Sequence, residues 1–399
     1  MSAVDEFKIL KTESKPKTKF LNDPSNRAFV FQVILVVLLL SFGAFIISNT
    51  LTNLQQRGIS TGFDFLTREA GFAIPLSLIE YSEASTYGRT FFVGLLNTLL
   101  VSVLGIVFAT LLGFVIGIGR LSDNWLIAKL SSAYIEIFRN LPLLLQIFFW
   151  YYAVLRTLPQ PRESIQLGAA FLNVRGLYLP SPVPEAGFTN VLASLLFAVV
   201  LIVVFLKWAK KRQIQTGHVL PTFSISLALL IVLPAVIFFA NGQPLSWSYP
   251  ELTGFNFQGG MNLIPELAAL WLSLTIYTAA FIAETVRAGI LAVPKGQVEA
   301  AKAVGLSKGR ILKLIVIPQA LRVIIPPLTS QYLNLTKNSS LATAIGYPDL
   351  VAVFAGTTLN QTGQAMEIIT MTMAVFLTIS MITSFLMNRY NRHMALVQR

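Results

Sequence analysis

The sequence contains no cysteine and only two histidines, His218 and His393. The first absence excludes disulfides and cysteine-ligated metals. Because the two histidines are far apart in the chain, the sequence does not favour a histidine-based metal site or a Ser-His-Asp arrangement. No G-x-x-x-x-G-K-[ST] phosphate loop occurs, so the chain cannot itself be an ATPase. We therefore expect no enzyme activity, no catalytic residues, no bound metal and no cofactor.

Charge is also scarce: 12% of the residues are charged and 54% are hydrophobic, whereas a soluble domain carries roughly 25% charged residues. The formal net charge is nevertheless +12. On a soluble protein this excess would suggest nucleic acid as a partner. Here the basic residues gather in loops between long apolar runs, so we expect them to meet membrane lipids and not nucleic acid.

The long apolar runs predict an all-α membrane protein, because a bilayer-spanning helix needs about 20 mostly apolar residues. The first run is too long for the hydrophobic region of a signal peptide, so we expect it to be retained as a membrane helix. About eight transmembrane helices are predicted, near 28–48, 90–118, 132–155, 190–207, 219–240, 265–288, 314–335 and 366–388.

The basic residues also predict the topology. With the N-terminus inside, most lysines and arginines fall in inner loops, and the outer loops hold Arg57, Arg68, Arg162 and Arg175. The positive-inside rule therefore favours cytoplasmic termini. The outer loop 157–189 is rich in proline and should be extended. The outer run GISTGFDFL is expected to lie along the membrane surface.

The loop after the sixth predicted span has the pattern of a helix–glycine–helix elbow. It reads VPKGQVEAAKAVGLSKG. Gln297 to Val304 are good helix formers, Gly305 can adopt the left-handed conformation that ends a helix, and Ser307 can cap the next helix. Such an elbow suits docking into a groove of a partner. The alternative is an ordinary loop whose helix lies on the membrane surface.

This loop resembles the EAA motif of permease subunits of ATP-binding-cassette importers. The motif residues are Glu299, Ala300, Ala301, Gly305, Ile315 and Pro318, with Ile317 where the family prefers leucine. In that family the loop is the coupling helix, which seats in a cleft of the ATPase subunit. The resemblance implies that Gln297, Glu299, Ala300, Ala301, Gly305 and Pro318 form the ATPase-coupling site.

Further segments resemble the polar amino-acid branch of these importers. They are FIAETVRAGILAVPKGQVEAAKAVGLSKG, IVIPQALRVIIPPL, NLTKNSSLATAIG and YIEIFRNLPLLLQIFFWYY. The extended layout resembles the longer permeases for general L-amino acids or for glutamate, glutamine, aspartate and asparagine. The branch core has five helices, so the first, fourth and fifth spans would be extra.

The resemblance implies a bacterial inner-membrane location and three protein partners. These are an ATP-binding-cassette ATPase, a second permease subunit (a heterodimer being favoured) and a periplasmic amino-acid-binding protein. The expected organisation is a cytoplasmic leader 1–27, a first helix and outer segment 28–88, a transmembrane domain 89–388 and a cytoplasmic tail 389–399. Within that domain the inserted helices span about 190–240 and the coupling loop 289–318.

Ionisable residues inside spans are costly and often functional. Glu136 with Arg139, and Glu284 with Arg287, are spaced i,i+3 and could neutralise one another. Pro142 should free a backbone carbonyl. For both pairs, and for Arg139 in particular, a structural role and a place along the substrate pathway remain open.

Two polar clusters are further candidates for the substrate pathway. Lys337, Asn338 and Ser339 precede the helix breakers Gly346 and Pro348, and a broken helix at membrane depth can hold a carboxylate. The alternative for Lys337 is a side chain that reaches the outer interface. Asn97, beside Thr98, could instead mediate helix packing, as Gly113 and Gly117 in a GxxxG pattern should.

Two rival functions remain. A secondary transporter or channel acting without ATP would favour inverted repeats with matched broken helices, and a membrane-embedded enzyme would need a cluster of catalytic or metal-binding groups. Neither explains the elbow motif.

Overall fold

A computed structural model of the chain describes residues 24–56, 58 and 61–394. The predicted leader up to residue 23, Arg57 and the tail from residue 395 lie outside the described residues. Within the described part, seven helical segments are long and apolar enough to cross a membrane, and one bent pair makes an eighth if counted as one span. The seven are α1 (Pro24–Gln56), α2 (Tyr87–Gly119), α5 (Phe188–Thr216), α6 (Thr222–Ala240), α7 (Pro265–Leu291), the segment Lys308–Ile345 and α12 (Ala365–Met394).

The predicted third span is not straight. It consists of α3 (Trp125–Asn140) and α4 (Leu143–Phe148), and irregular helix extends α4 to Thr157. The helix axis bends by 105° between the two parts. Pro142 causes the break, because proline has no N–H and pushes the residue before it out of the helical region. The Gln146 side-chain amide donates to the carbonyls of Phe138 and Leu141 at 3.2 and 3.1 Å. The prediction that Pro142 frees a carbonyl is confirmed, and a single straight helix over 132–155 is wrong.

The long outer loop and the segment before α7 form small β-structures, which the expectation of an all-α chain missed. The strands are β1 (Ile165–Leu167), β2 (Ala170–Asn173), β3 (Gly176–Leu179), β4 (Ser181–Pro184), β5 (Leu245–Ser248), β6 (Glu251–Thr253), β7 (Asn256–Gln258) and β8 (Met261–Leu263). One antiparallel sheet has the order β1-β2-β3-β8, while β4 pairs with β5 and β6 with β7. Four of these strands, β1 to β4, therefore lie in the stretch 157–189 that was predicted to be extended.

The core is built around α7, which packs against α2, α3, α4 and α10 (Ile317–Asn338). Glycines let α2 approach α7 closely. A Cβ on Gly113 would lie 2.6 Å from Ile282 Cγ2, and one on Gly117 would lie 2.6 Å from the Ala283 carbonyl oxygen. The packing role predicted for this GxxxG pair is confirmed.

The three helices predicted to be extra stand apart from this core. The main hydrophobic cluster contains no residue of α1, α5 or α6. Helices α5 and α6 pack on each other as a hairpin, and most of their apolar side chains are exposed. Such surfaces are stable only against lipid or a partner helix.

The outer segment before α2 packs into the protein. Phe65 is fully buried against Tyr87 and Phe354, and the Gly62 N–H donates to the Glu367 carboxylate at 2.7 Å. The described part of the run GISTGFDFL thus packs against the ends of core helices, and its position along the membrane surface stays a prediction.

Candidate functional site

The elbow predicted between the sixth and seventh spans is present. Helix α8 (Lys295–Ala303) ends at Gly305, whose φ of +82° is left-handed. The Gly305 N–H donates to the Lys302 carbonyl at 2.9 Å and the Leu306 N–H to the Ala301 carbonyl at 3.1 Å. These bonds satisfy carbonyls at the helix end. The left-handed conformation predicted for Gly305 is confirmed, and its place in an ATPase-coupling site stays a prediction.

The motif residues divide between the two faces of α8. Gln297, Glu299 and Ala300 are exposed, whereas Ala301 is only 5% exposed and lies on the inward face. Val304, at the end of the helix, is 83% exposed. Gln297, Glu299, Ala300 and Val304 are thus among the exposed residues of this elbow, and we call this set the α8 face.

A short link joins the elbow to the next membrane helix. Helix α9 (Lys308–Ile311) leads into a π-helical turn, Leu312–Val316, and then into α10. Ser307 occupies the N-cap position of α9, but its hydroxyl makes no capping bond, so that expectation is wrong. Pro318 follows the π-helical turn inside the continuous helical segment Lys308–Ile345, where proline has no N–H to donate to the preceding turn.

Glu284 is the centre of an ion cluster at the elbow end of α7. Its carboxylate accepts from Arg287 at 2.6 and 3.0 Å, as the i,i+3 spacing predicts, and from Arg120 of α2 at 2.7 Å. Glu136 pairs with Arg120 at 3.5 Å. Arg139 instead stacks on Phe281, with 5.3 Å from its guanidinium carbon to the ring centroid. The predicted Glu136–Arg139 pair is not formed.

Helices α7 and α10 enclose a polar cleft of about 260 Å³. Its lining residues are Tyr277, Thr278, Phe281, Gln331, Asn334 and Asn338. Asn338 was predicted from the sequence, while Gln331 and Asn334 were missed. The three amides recur at helical spacing on α10, which is the signal that could have revealed them. Arg139 is not a lining residue, but it stacks on Phe281, which is one.

The other predicted pathway residues near the end of α10 do not line this cleft. Lys337 is exposed on the last turn of α10, and Ser339 is buried with its hydroxyl donating to the Thr336 carbonyl at 2.7 Å. The chain then continues as a 3₁₀-helix, Ser339–Ile345, and breaks at Gly346, whose φ is +78°. The predicted helix break is confirmed.

Asn97 holds this break and does not face a cavity. Its side-chain N–H groups donate to the carbonyls of Leu76 and Pro348 at 2.8 and 2.9 Å, and its backbone carbonyl accepts from the Tyr347 hydroxyl at 2.9 Å. The Thr98 hydroxyl accepts from the Leu350 N–H at 3.0 Å. Of the two roles open for Asn97, these contacts fit the packing role.

The chain has clear relatives. The family described as "binding-protein-dependent transport system inner membrane component" matches residues 105–396. A putative amino-acid ABC transporter permease protein, YhdX of Escherichia coli, is 57% identical, covering 96% of this chain and 98% of its own length.

Two further relatives carry more specific names. The general L-amino acid transport system permease protein AapQ of Rhizobium johnstonii is 52% identical over 94% of both chains. The glutamate/glutamine/aspartate/asparagine transport system permease protein BztB of Rhodobacter capsulatus is 41% identical, covering 94% of this chain and 96% of its own.

Proposed function

Since the chain belongs to the family of binding-protein-dependent transport system inner membrane components, we propose that it is the permease subunit of an ATP-binding-cassette importer for polar L-amino acids. The observation that carries this proposal is the α8 face. It presents Glu299, Ala300 and Val304 on a short helix held between two core membrane helices. A groove of a separate ATPase subunit would receive this face, and ATP would be hydrolysed there.

The substrate class follows from the relatives. YhdX is named for amino acids, AapQ for general L-amino acids, and BztB for glutamate, glutamine, aspartate and asparagine. Polar L-amino acids are therefore the proposed cargo.

The polar cleft is the proposed part of the substrate pathway. Side-chain amides both donate and accept hydrogen bonds. Gln331, Asn334 and Asn338 could thus contact the carboxylate and the ammonium group of an amino acid in turn. Arg139, which stacks on a lining residue of the cleft, would attract the carboxylate together with Lys337 on the adjacent turn of α10. Glu284 and Arg287 lie on α7 between the cleft and the elbow, and they would form a structural or gating link between the two.

The working transporter would contain further subunits. A second permease, different from this chain, would complete the pathway, and a periplasmic amino-acid-binding protein would deliver the substrate. Both termini would be cytoplasmic, on the side of the α8 face. Closure of two ATPase subunits on ATP would move α8, and only a difference in contacts between the two states can drive that shift.

Purification from native membranes in mild detergent tests the assembly. Mass spectrometry should identify an ATP-binding-cassette subunit and a second permease with this chain. Uptake of labelled amino acids into vesicles should stop when ATP is removed and the proton gradient is kept. Continued uptake by the chain alone under that condition would instead indicate a secondary transporter or channel.

The variant Gly305→Asp tests the role of the elbow within the same assay. It adds a negative charge beside the α8 face, where the ATPase would dock, and should uncouple ATP hydrolysis from uptake although the protein still inserts into the membrane at the normal level. Undiminished uptake by this variant would count against coupling through α8.

A further inference from the structure

The α5–α6 hairpin carries a concentrated positive charge at one end. Helix α5 contains no acidic residue in its 29 positions, and Lys207, Lys210 and Lys211 lie near its C-terminal end. All three lysines are exposed, and none forms an ion pair with an acidic side chain of the described residues. We call them the lysine cluster.

The lysine cluster points away from the rest of the protein. Ala198 and Ala209 are the buried residues of α5, and α6 is the element against which α5 packs. With about 100° of rotation per residue, the two alanines share one side of α5 and the lysine cluster lies on the opposite side. Its ammonium groups therefore face the surroundings of the hairpin.

An apolar stripe precedes the lysine cluster on the same side of α5. Its members are 47% to 70% exposed: Leu196, Val200, Val203 and Val204. At about 1.5 Å per residue, the axial distance from Leu196 to Lys207 is roughly 17 Å, close to half of the roughly 30 Å hydrocarbon core of a bilayer. The stripe has the length of one leaflet's acyl chains.

An aromatic residue marks the membrane–water boundary beside the lysine cluster. Trp208 is half exposed, and the Arg212 guanidinium carbon lies 5.3 Å from its ring centroid. Tryptophan favours the headgroup level of a bilayer, so this stack would place a fourth cation at the same depth. The cations and the apolar stripe are therefore complementary to a molecule with an anionic group at the headgroup level and an apolar chain within the membrane.

We propose that this side of α5 is a binding site for an anionic glycerophospholipid of the phosphatidylglycerol type. The lysine cluster would hold the phosphate of the headgroup, while the acyl chains would lie along the apolar stripe. A zwitterionic lipid offers the same chains, but its own ammonium group would be repelled by the lysines. The proposal concerns the membrane partner of the hairpin and does not depend on which solute is transported.

Fluorescence of Trp208 reports directly on the lipid beside the lysine cluster. The full-length chain would keep Trp208, and the other four of its five tryptophans would be replaced by phenylalanine: Trp125, Trp150, Trp247 and Trp271. The protein would be placed in vesicles that contain the same mole fraction of either brominated phosphatidylglycerol or brominated phosphatidylcholine. We expect anionic lipid to be enriched roughly fivefold or more around Trp208, since each lysine near an anionic surface contributes on that order.

Three sets of variants identify the source of the enrichment. Replacing the lysine cluster with glutamine should abolish it, and replacing the cluster with arginine should preserve it. Replacing Lys15, Lys17 and Lys19 with glutamine removes the same net charge elsewhere and should leave it unchanged. Because the chain lacks cysteine, labelling of a single cysteine introduced at His218 checks that each variant inserts in the same orientation.

Equal quenching by the two brominated lipids in the parent protein would overturn the proposal. So would an enrichment that survives loss of the lysine cluster, or one that the leader substitutions abolish equally, since the attraction would then belong to the net charge of the chain.

Discussion

Replacement of Gly305 tests the backbone conformation of the elbow without disturbing its packing. No atom lies within 4 Å of the position that a Cβ would take at Gly305, and φ there is +82°. A side chain at this position meets no steric clash. The cost is only that of holding an L-residue in the left-handed conformation, about 1–2 kcal/mol.

This cost predicts an order among the variants. Gly305→Asn should be mildest because asparagine visits the left-handed region readily. Gly305→Ala should be intermediate, and Gly305→Val should be most severe because its β-branch restricts the backbone further. A change of 1–2 kcal/mol lowers the ratio of native to altered elbow by roughly 5–30-fold.

The assay is ATP-driven uptake in vesicles that contain the assembled transporter, compared with ATP hydrolysis and with the amount of inserted chain. Uptake per inserted molecule should fall in the order wild type, asparagine, alanine, valine. Gly296→Val is the matched control, because Gly296 lies in α8 of the same elbow, has no atom within 4 Å of its Cβ position and lacks a positive φ. Its uptake should exceed that of Gly305→Val.

Two results would refute the reasoning. Uptake by Gly305→Val at the wild-type level would mean that the left-handed turn is not needed for coupling. A loss as large in Gly296→Val would mean that any side chain on α8 interferes, so that the conformation at Gly305 is not the cause.

Three further predictions concern stability, measured as the shift in thermal unfolding in detergent. Glu284→Gln leaves two arginines without their carboxylate and should destabilise the protein by about 2 kcal/mol. Glu136→Gln should change the stability little, because the Glu136 side chain is largely exposed. Equal shifts in the two variants would contradict the central role of Glu284. Gln146→Leu removes the donor to two carbonyls at the bend and should cost about 1–3 kcal/mol; an unchanged midpoint would show that the bend does not need this amide. Gly113→Ala forces α2 away from α7 and should destabilise the protein by about 1–3 kcal/mol. Gly43→Ala should not destabilise it, because the space around Gly43 is open. The reverse order would contradict the close approach of α2 to α7.

Local signals in the sequence were sufficient where one residue decides the conformation. Gly305 ends α8 in the left-handed region, and Pro142 interrupts a helix, as their chemistry predicts. The direction of the chain after Pro142 was not predictable from hydropathy, because mean hydropathy over a window of residues does not depend on the direction of the helix axis. The result was one straight span where the structure has a bend of 105°.

Contacts between distant parts of the chain were harder to predict. Glu136 has Arg139 at a suitable spacing, but it pairs with Arg120 from another helix, and residue spacing within α3 contains no information about α2. Strands β3 and β8 pair across more than 80 residues and are only four and three residues long. Such short strands provide too few alternations to show a period of two.

Asn97 illustrates a different limit. An asparagine that binds a ligand and one that satisfies backbone carbonyls present the same residue type at the same place in a span. Only the positions of Leu76 and Pro348, brought to the amide by the outer segment and by the break at Gly346, distinguish the two roles.

The elbow and the polar cleft are connected by the same two helices. Helix α7 carries Phe281 of the cleft and, ten residues later, ends at Leu291 just before α8. Helix α10 carries Asn334, but a π-helical turn, Leu312–Val316, separates it from α9. A π-turn is a weak point in helical hydrogen bonding, so in the proposed coupling a displacement of α8 would be transmitted more rigidly through α7. On that route it passes Glu284, whose bond to Arg120 ties α7 to α2, and α2 must therefore move with α7 or release that bond before the cleft changes shape.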